Sequence, residues 1–149
     1  MPTSLELKLF ADYHQIHVVD DRPDAGDLSD WGGSAVSDGM ALGVGALGIG
    51  MAQNMDADVS VVVLDAAPPD EPLDPTWQHI VEASMEVQSG RVMVMGCSDY
   101  GPEAKRVDLA PGAWRLRASS RVVGPEEEKL LIELWAAPST PVRVLRRRG

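Results

Sequence analysis

Residues 81–95, VEASMEVQSGRVMVM, decide the fold class of this 149-residue chain. Apolar and polar side chains alternate through residues 81–87, which is the period of a β-strand with one buried face. Gln88-Ser89-Gly90 then predicts a hairpin link into a second strand, residues 91–95. A period of two excludes an amphipathic helix here and indicates antiparallel β-structure.

The same alternation recurs outward along the chain, at residues 5–9, 13–19, 114–119 and 130–135. Residues 57–66, ADVSVVVLDA, form a β-branched run typical of a strand covered on both faces. Turn-forming segments rich in Gly, Pro and Asp separate the runs. We therefore predict a mainly β fold, a single-domain antiparallel β-sandwich of about eight or nine strands over residues 1–149 with at most one short helix, at residues 33–42.

Composition excludes several classes of protein. No apolar run approaches the roughly 20 residues that span a bilayer, and the N-terminus lacks a basic-then-apolar signal pattern. The single cysteine, Cys97, excludes an internal disulfide framework. We expect a soluble, cytoplasmic protein without a membrane segment; the sequence does not predict its oligomeric state.

Charge is distributed unevenly. The net charge is −10, and residues 1–90 carry 16 acidic against two basic side chains, whereas residues 91–149 carry seven acidic against 11 basic ones. Such a field repels nucleic acid and anionic membranes from the first part of the chain and attracts basic proteins. Simple solubility is the alternative interpretation.

Two acidic segments, residues 20–30 and 65–74, are the candidate contact surfaces. The first lacks the ligand spacing and bidentate glutamate of an EF-hand, so a solvated or protein-binding loop is expected rather than a calcium site. Trp31 ends this loop with an aromatic that would anchor the core or an interface. The predicted contact residues are Asp20, Asp21, Asp24, Asp27, Asp30, Trp31, Asp65, Asp70, Glu71 and Asp74.

Residues 43–48, GVGALG, match the dinucleotide-binding pattern G-x-G-x-x-G, and Asp65 follows Gly43 by 22 residues. That site needs a buried strand before the glycines and a helix after them, and the flanking segments are too short and too broken by glycine. We interpret residues 42–51 as strand with a β-bulge at Ala46-Leu47, whose glycines admit a neighbouring segment or a large side chain. A nucleotide-dependent enzyme is the least favoured hypothesis, and no cofactor is predicted.

Other residue groups give weak chemical signals. His14 and His17 lie three apart, on opposite faces of a strand, so no metal site is predicted; we expect His14 buried and His17 exposed. Cys97 has no sequence signature that pairs it with a histidine, so no catalytic residue is assigned.

Three arginines, Arg115, Arg117 and Arg121, are expected to pair across the sheet with Glu82 and Glu86. The terminal run at residues 146–148 is expected to be a solvated end.

Three motifs occur together in residues 5–120. They are Tyr13-His14-Gln15-Ile16-x-Val18; Asp30-Trp31 followed by Ala35, Gly39, Ala41, Gly45 and Ala46; and Val107-Asp108-Leu109-x-Pro111-Gly112-x-Trp114-x-Leu116. Together they resemble the competence protein J family, which is best known for inhibiting a DNA-entry nuclease. The resemblance implies a non-enzymatic inhibitor that binds a nuclease, and it transfers no inhibitory residue.

Two function hypotheses are carried forward. The first is an acidic protein that binds and inhibits a basic nuclease. The second is a β-sandwich that binds a small molecule in a pocket lined by Tyr13, His14, Trp31 and Trp77.

Overall fold

The computed structural model describes residues 3–99 and 101–148; the remaining residues of the predicted domain, 1, 2, 100 and 149, lie outside the described part. Eleven strands are found in the described residues. In chain order they are β1 (Thr3–Phe10), β2 (Gln15–Asp20), β3 (Met40–Gly43), β4 (Ala46–Gly50), β5 (Asp56–Val63), β6 (His79–Val87), β7 (Arg91–Gly96), β8 (Lys105–Asp108), β9 (Gly112–Gly124), β10 (Glu127–Ala136) and β11 (Arg143–Arg146). One α-helical turn, α1 (Ala35–Asp38), lies inside the segment predicted to be helical, and short 3₁₀ turns occupy Asp12–His14 and Gly101–Glu103.

The strands form two sheets. The first has six strands in the order β1-β5-β10-β9-β6-β11, and the second has five in the order β3-β4-β2-β7-β8. The predicted mainly β, single-domain sandwich is confirmed, with more strands than expected. The pairing departs from a purely antiparallel arrangement at one place, where β10 runs parallel to β5.

The core lies between the two sheets. Val59, Leu116 and Ile132 of the first sheet and Ile16 and Leu47 of the second are fully buried in one cluster. Burying each such side chain contributes about 1.5–3 kcal/mol, so this cluster is the main source of stability. The inward residues are those that the period-two alternation places on one face of each strand.

The hairpin predicted within residues 81–95 is wrong. Both strands exist, but β6 belongs to the first sheet, where it pairs with β9 and β11, and β7 belongs to the second, where it pairs with β2 and β8. Residues 88–90 therefore cross from one sheet to the other. Alternation and a glycine turn predict two consecutive strands but not whether they are hydrogen-bonded to each other.

The glycine-rich stretch forms a hairpin of β3 and β4. Gly45 has a φ of +59°, which places a left-handed residue at the turn, so the change of phase at Ala46-Leu47 marks this turn and not a β-bulge within one strand. The element after β4 is the strand β5, so the glycines are not followed by the helix that a dinucleotide-binding unit requires.

Candidate partner-binding surface and cavity

The acidic segment after β2 lies over the outer face of the second sheet. A Cβ at Gly43 would lie 2.3 Å from the Asp27 carbonyl oxygen, and one at Gly48 would lie 3.0 Å from Trp31 Cζ2. Leu28 is buried against this face. The glycines thus admit a chain segment and a large side chain, as their pattern predicted.

Asp20 is a structural residue, which corrects its assignment as a contact residue. Its carboxylate is fully buried and accepts hydrogen bonds from the Arg22 Nε–H (2.7 Å), the Ser89 hydroxyl (2.6 Å) and the backbone N–H groups of Gln88 (2.9 Å) and Ser89 (3.2 Å). Burial acts to raise the pKa of Asp20, but these hydrogen bonds outweigh it and hold the pKa below its ordinary value. The carboxylate therefore fixes the link between the two sheets and cannot reach a partner.

Asp21 is neutralised within the chain. Its Oδ2 lies 2.6 Å from Arg91 Nε and 3.2 Å from Arg106 Nε, and the hydrogen bond from Arg106 lowers the pKa of this carboxyl. Two cations around one carboxylate leave it little charge to offer a partner.

The remaining acids of this segment are exposed. Asp24 pairs with Arg22, Asp27 accepts two hydrogen bonds from Ser29, which lower its pKa, and Asp30 accepts the Gly32 N–H. Among the described residues, none of the three carboxylates is held by a buried group.

Two exposed apolar side chains lie on the β3–β4 hairpin, which the acidic segment crosses at Gly43. Leu42 and Val44 are 56% and 59% exposed, and the Gly26 N–H donates to the Val44 carbonyl oxygen. An apolar centre with an acidic rim is the anatomy of a protein interface. We call this set the hairpin surface: Asp24, Asp27, Asp30, Leu42 and Val44.

The second acidic segment is only partly available. Asp70 Oδ1 lies 2.9 Å from Arg117 Nη2 and 2.8 Å from Arg143 Nη2, and the hydrogen bond from Arg143 lowers its pKa. Asp65 and Glu71 are exposed, as is Asp74, whose carboxylate accepts two hydrogen bonds from Thr76.

The predicted pairing of Arg115 and Arg117 with Glu82 is confirmed. Glu82 lies 2.8 Å from Arg117 Nε and 3.5 Å from Arg115 Nε, and all three are buried. Arg121 does not join them, because its guanidinium stacks 5.2 Å above the Trp77 ring.

A cavity of about 660 Å³ opens at the start of β2. Tyr13, His14 and Trp31 line it, whereas Trp77 lies outside it. Tyr13 and His14 have φ values of +55° and +61°, a strained conformation for residues with a Cβ. This turn makes His14 exposed, while His17 in β2 is buried; the predicted burial of the two histidines was wrong.

The opposite wall comes from the chain's C-terminal run, which is not a solvated end. Arg147 donates to the Ser37 carbonyl and pairs with Asp38, and the Arg148 N–H donates to His79 Nδ1. His79 Nε2 then donates to the Asp38 carbonyl, and burial lowers the pKa of this imidazole, so it is neutral. Sequence reasoning missed these residues because they meet only through long-range contacts.

Comparison with known proteins identifies the architecture. No family model and no curated protein matches the chain. The crystal structure of ComJ, inhibitor of the DNA degrading activity of NucA, from Bacillus subtilis, superposes with a TM-score of 0.72, covering 92% of this chain and 99% of that chain at 17% identity. The chain has the ComJ fold.

A second solved structure shares this fold. Crocagin biosynthetic gene J superposes with a TM-score of 0.60 at 15% identity, over 93% of this chain and 99% of that one. In the ComJ fold of this chain, the Tyr13-His14-Gln15 motif and Trp31 of the second motif meet at the cavity.

Chemical groups for catalysis or metal binding are sparse. Within residues 3–99 and 101–148, no three His, Cys, Asp or Glu side chains are grouped to hold a metal ion. Burial, with a smaller effect of Asp12, raises the pKa of the Cys97 thiol, which disfavours the thiolate. The same described residues include no helix that is long and apolar enough to cross a membrane.

Proposed function

We propose that this protein is a non-enzymatic inhibitor that binds a basic nuclease through the hairpin surface. The observation that carries the proposal is the ComJ fold, shared over nearly the whole length of a protein that inhibits the DNA degrading activity of NucA. Its physical support is the acidic rim of the hairpin surface. A nuclease cleft must attract phosphate and is therefore basic, so it complements such a rim.

Ion pairs within the chain reduce the number of acidic residues that are available to contact a partner. Arginines from the second half of the chain neutralise Asp21 and Asp70, and Asp20 is buried. The uncompensated acids of the first loop, Asp27 and Asp30, lie beside exposed apolar surface, whereas a solubilising charge needs no such neighbour. This combination favours binding over solubility as the role of the loop.

The first test is capture and inhibition. The purified chain, immobilised, is expected to retain a nuclease from the native lysate of its own cell, and the eluted nuclease should lose its cleavage of double-stranded DNA at an equimolar amount of the free chain. Retention of no nuclease activity, or full DNA cleavage at stoichiometric excess, would refute the proposal.

The second test locates the surface. The triple variant D24N/D27N/D30N removes three charges while the Oδ1 acceptors of the turns remain, so the loop should keep its conformation. At low salt we expect its association with the captured nuclease to slow by about tenfold, because steering acts on the association rate.

The matched control is E86Q/E126Q/E127Q, which removes three exposed charges elsewhere on the sandwich. It should associate within about twofold of the wild type, since its carboxylates lie away from the interface. Equal slowing by both triple variants would mean that only net charge matters, and the assignment of the hairpin surface would fail.

A further inference from the structure

The charged side chains that line the cavity are cationic, in a chain whose net charge is negative. They are Arg147 and Arg148, and none of the described lining residues is a carboxylate. In a chain of net charge −10, a concave site with basic walls selects an anion.

Arg147 and Arg148 are each close to a carboxylate, but neither side chain is fully buried. Arg147 Nη2 lies 2.9 Å from Asp38 Oδ1, yet its side chain is 49% exposed. Arg148 Nη2 donates to Ser120 Oγ (2.8 Å) and lies 3.7 Å from Glu128 Oε2, and the Glu128 carboxylate already accepts the N–H groups of Ala52 and Gln53. Guanidinium N–H groups are therefore left for an acceptor.

Two residues of the lining also carry a buried donor. Trp31 Nε1 and Arg148 Nε have no acceptor among the described residues, as is true of Arg121 Nε outside the cavity. A buried N–H without a partner costs about 1–3 kcal/mol, so native proteins rarely keep one without a reason. Both residues line this cavity.

The rest of the lining includes exposed apolar side chains. Tyr13 and Val36 are 68% and 72% exposed, and the ring of Trp31 packs on the second sheet, with Cζ2 3.0 Å from a Cβ built at Gly48. Exposed aromatic and aliphatic surface next to cationic groups fits a ligand with a flat apolar body and an acidic head.

We propose that the cavity binds a small aromatic carboxylate, with the carboxylate at Arg147 and Arg148 and the ring against Tyr13, Trp31 and Val36. The cavity volume of about 660 Å³ lies within the usual range for small-molecule sites. Consecutive residues at positive φ hold the Tyr13 and His14 side chains at its mouth before any ligand arrives.

The test uses 2-naphthoate as the probe and isothermal titration calorimetry of the full chain. One site is expected, with a dissociation constant at or below about 1 mM, and the neutral analogue 2-naphthylmethanol should bind at least about tenfold more weakly. The nuclease takes no part, so the result is independent of the proposed inhibition.

Single-residue variants test whether the probe binds in this cavity. Val36→Trp, at an exposed helical position, should fill the cavity and abolish binding with an unchanged melting temperature; Tyr13→Ala should weaken binding about tenfold. Trp77→Phe, outside the cavity, should bind as the wild type does. The proposal is overturned by no saturable binding at about 1 mM, by equal affinity for the neutral analogue, or by undiminished binding to folded Val36→Trp.

Discussion

Replacing Asp20 by asparagine tests whether the link between the sheets depends on this carboxylate. Four donors converge on it, two from the backbone of residues 88–89, one from the Ser89 hydroxyl and one from Arg22, and all lie within 3.2 Å. Asparagine has nearly the same shape but one acceptor oxygen in place of two and no charge. Its amide N–H₂ must face donors that the wild-type carboxylate satisfies.

The expected loss of stability on replacing Asp20 by asparagine follows from these contacts. Hydrogen bonds to a charged group contribute about 1.5–3 kcal/mol each, and removing one partner of a buried ion pair costs about 3–5 kcal/mol. Because asparagine keeps one acceptor, we expect Asp20→Asn to lower the free energy of unfolding by about 3 kcal/mol. For a chain of this size that corresponds to a fall in melting temperature of roughly 6–12 °C.

The assay is urea unfolding followed by tryptophan fluorescence and circular dichroism, with Asp24→Asn as the matched control. Asp24 binds the same Arg22 but is 73% exposed, so its replacement should cost less than about 0.5 kcal/mol. Equal costs for the two variants would refute the structural role of Asp20.

The stabilisation that Asp20 contributes depends on pH in a definite direction. Because the folded state lowers the pKa of Asp20, its contribution is complete above the unfolded pKa and is lost as the pH falls through the folded pKa. The stability difference between wild type and Asp20→Asn should therefore be constant between about pH 5 and 8 and shrink below about pH 4. A difference that grows on acidification would contradict this linkage.

Two further predictions concern packing and buried charge, and both use the same unfolding assay. Gly43→Ala should lower the free energy of unfolding by about 1–3 kcal/mol, because its Cβ would lie 2.3 Å from the Asp27 carbonyl oxygen. The control Gly124→Ala has open space around the added carbon and should lower it by less than about 0.5 kcal/mol. Equal losses for the two variants would show that the loop is not packed on the sheet. Glu82→Gln should cost about 3 kcal/mol because it removes the buried carboxylate that Arg115 and Arg117 share, whereas the exposed Glu86→Gln should cost less than about 0.5 kcal/mol. An unchanged stability of Glu82→Gln would show that the buried cluster contributes nothing.

The sequence predicts strands well because alternation is a local property. Residues 81–87 and 91–95 are strands where the pattern placed them, and the helical turn at 35–38 falls in the expected segment. Pairing is not local. The two strands joined by residues 88–90 lie in different sheets, and a phase change at Ala46-Leu47 looks the same whether it marks a bulge or a hairpin turn.

In the cavity too, some lining residues could be predicted from the sequence and others could not. Tyr13, His14 and Trp31 could be proposed from sequence because aromatic and histidine residues beside strand ends are typical of pockets, and the structure brings these three together. Trp77 was proposed on the same grounds, but in the structure its ring stacks with the Arg121 guanidinium. Nothing local distinguishes the two tryptophans, since only the path of the loop over Gly48 brings Trp31 to the cavity.

The uneven charge acquires its meaning only after folding. Along the chain, an acidic first part and a basic second part suggest two surfaces of opposite sign. In the folded protein, arginines of the second part neutralise Asp21, Asp38 and Asp70 of the first. Folding therefore removes much of the average charge contrast and leaves two local features, the acidic hairpin surface and a cavity lined by two arginines whose counter-charges lie beside them. Because Asp30 of the hairpin surface directly precedes Trp31 of the cavity, the two features adjoin each other, and occupancy of one is expected to affect the other.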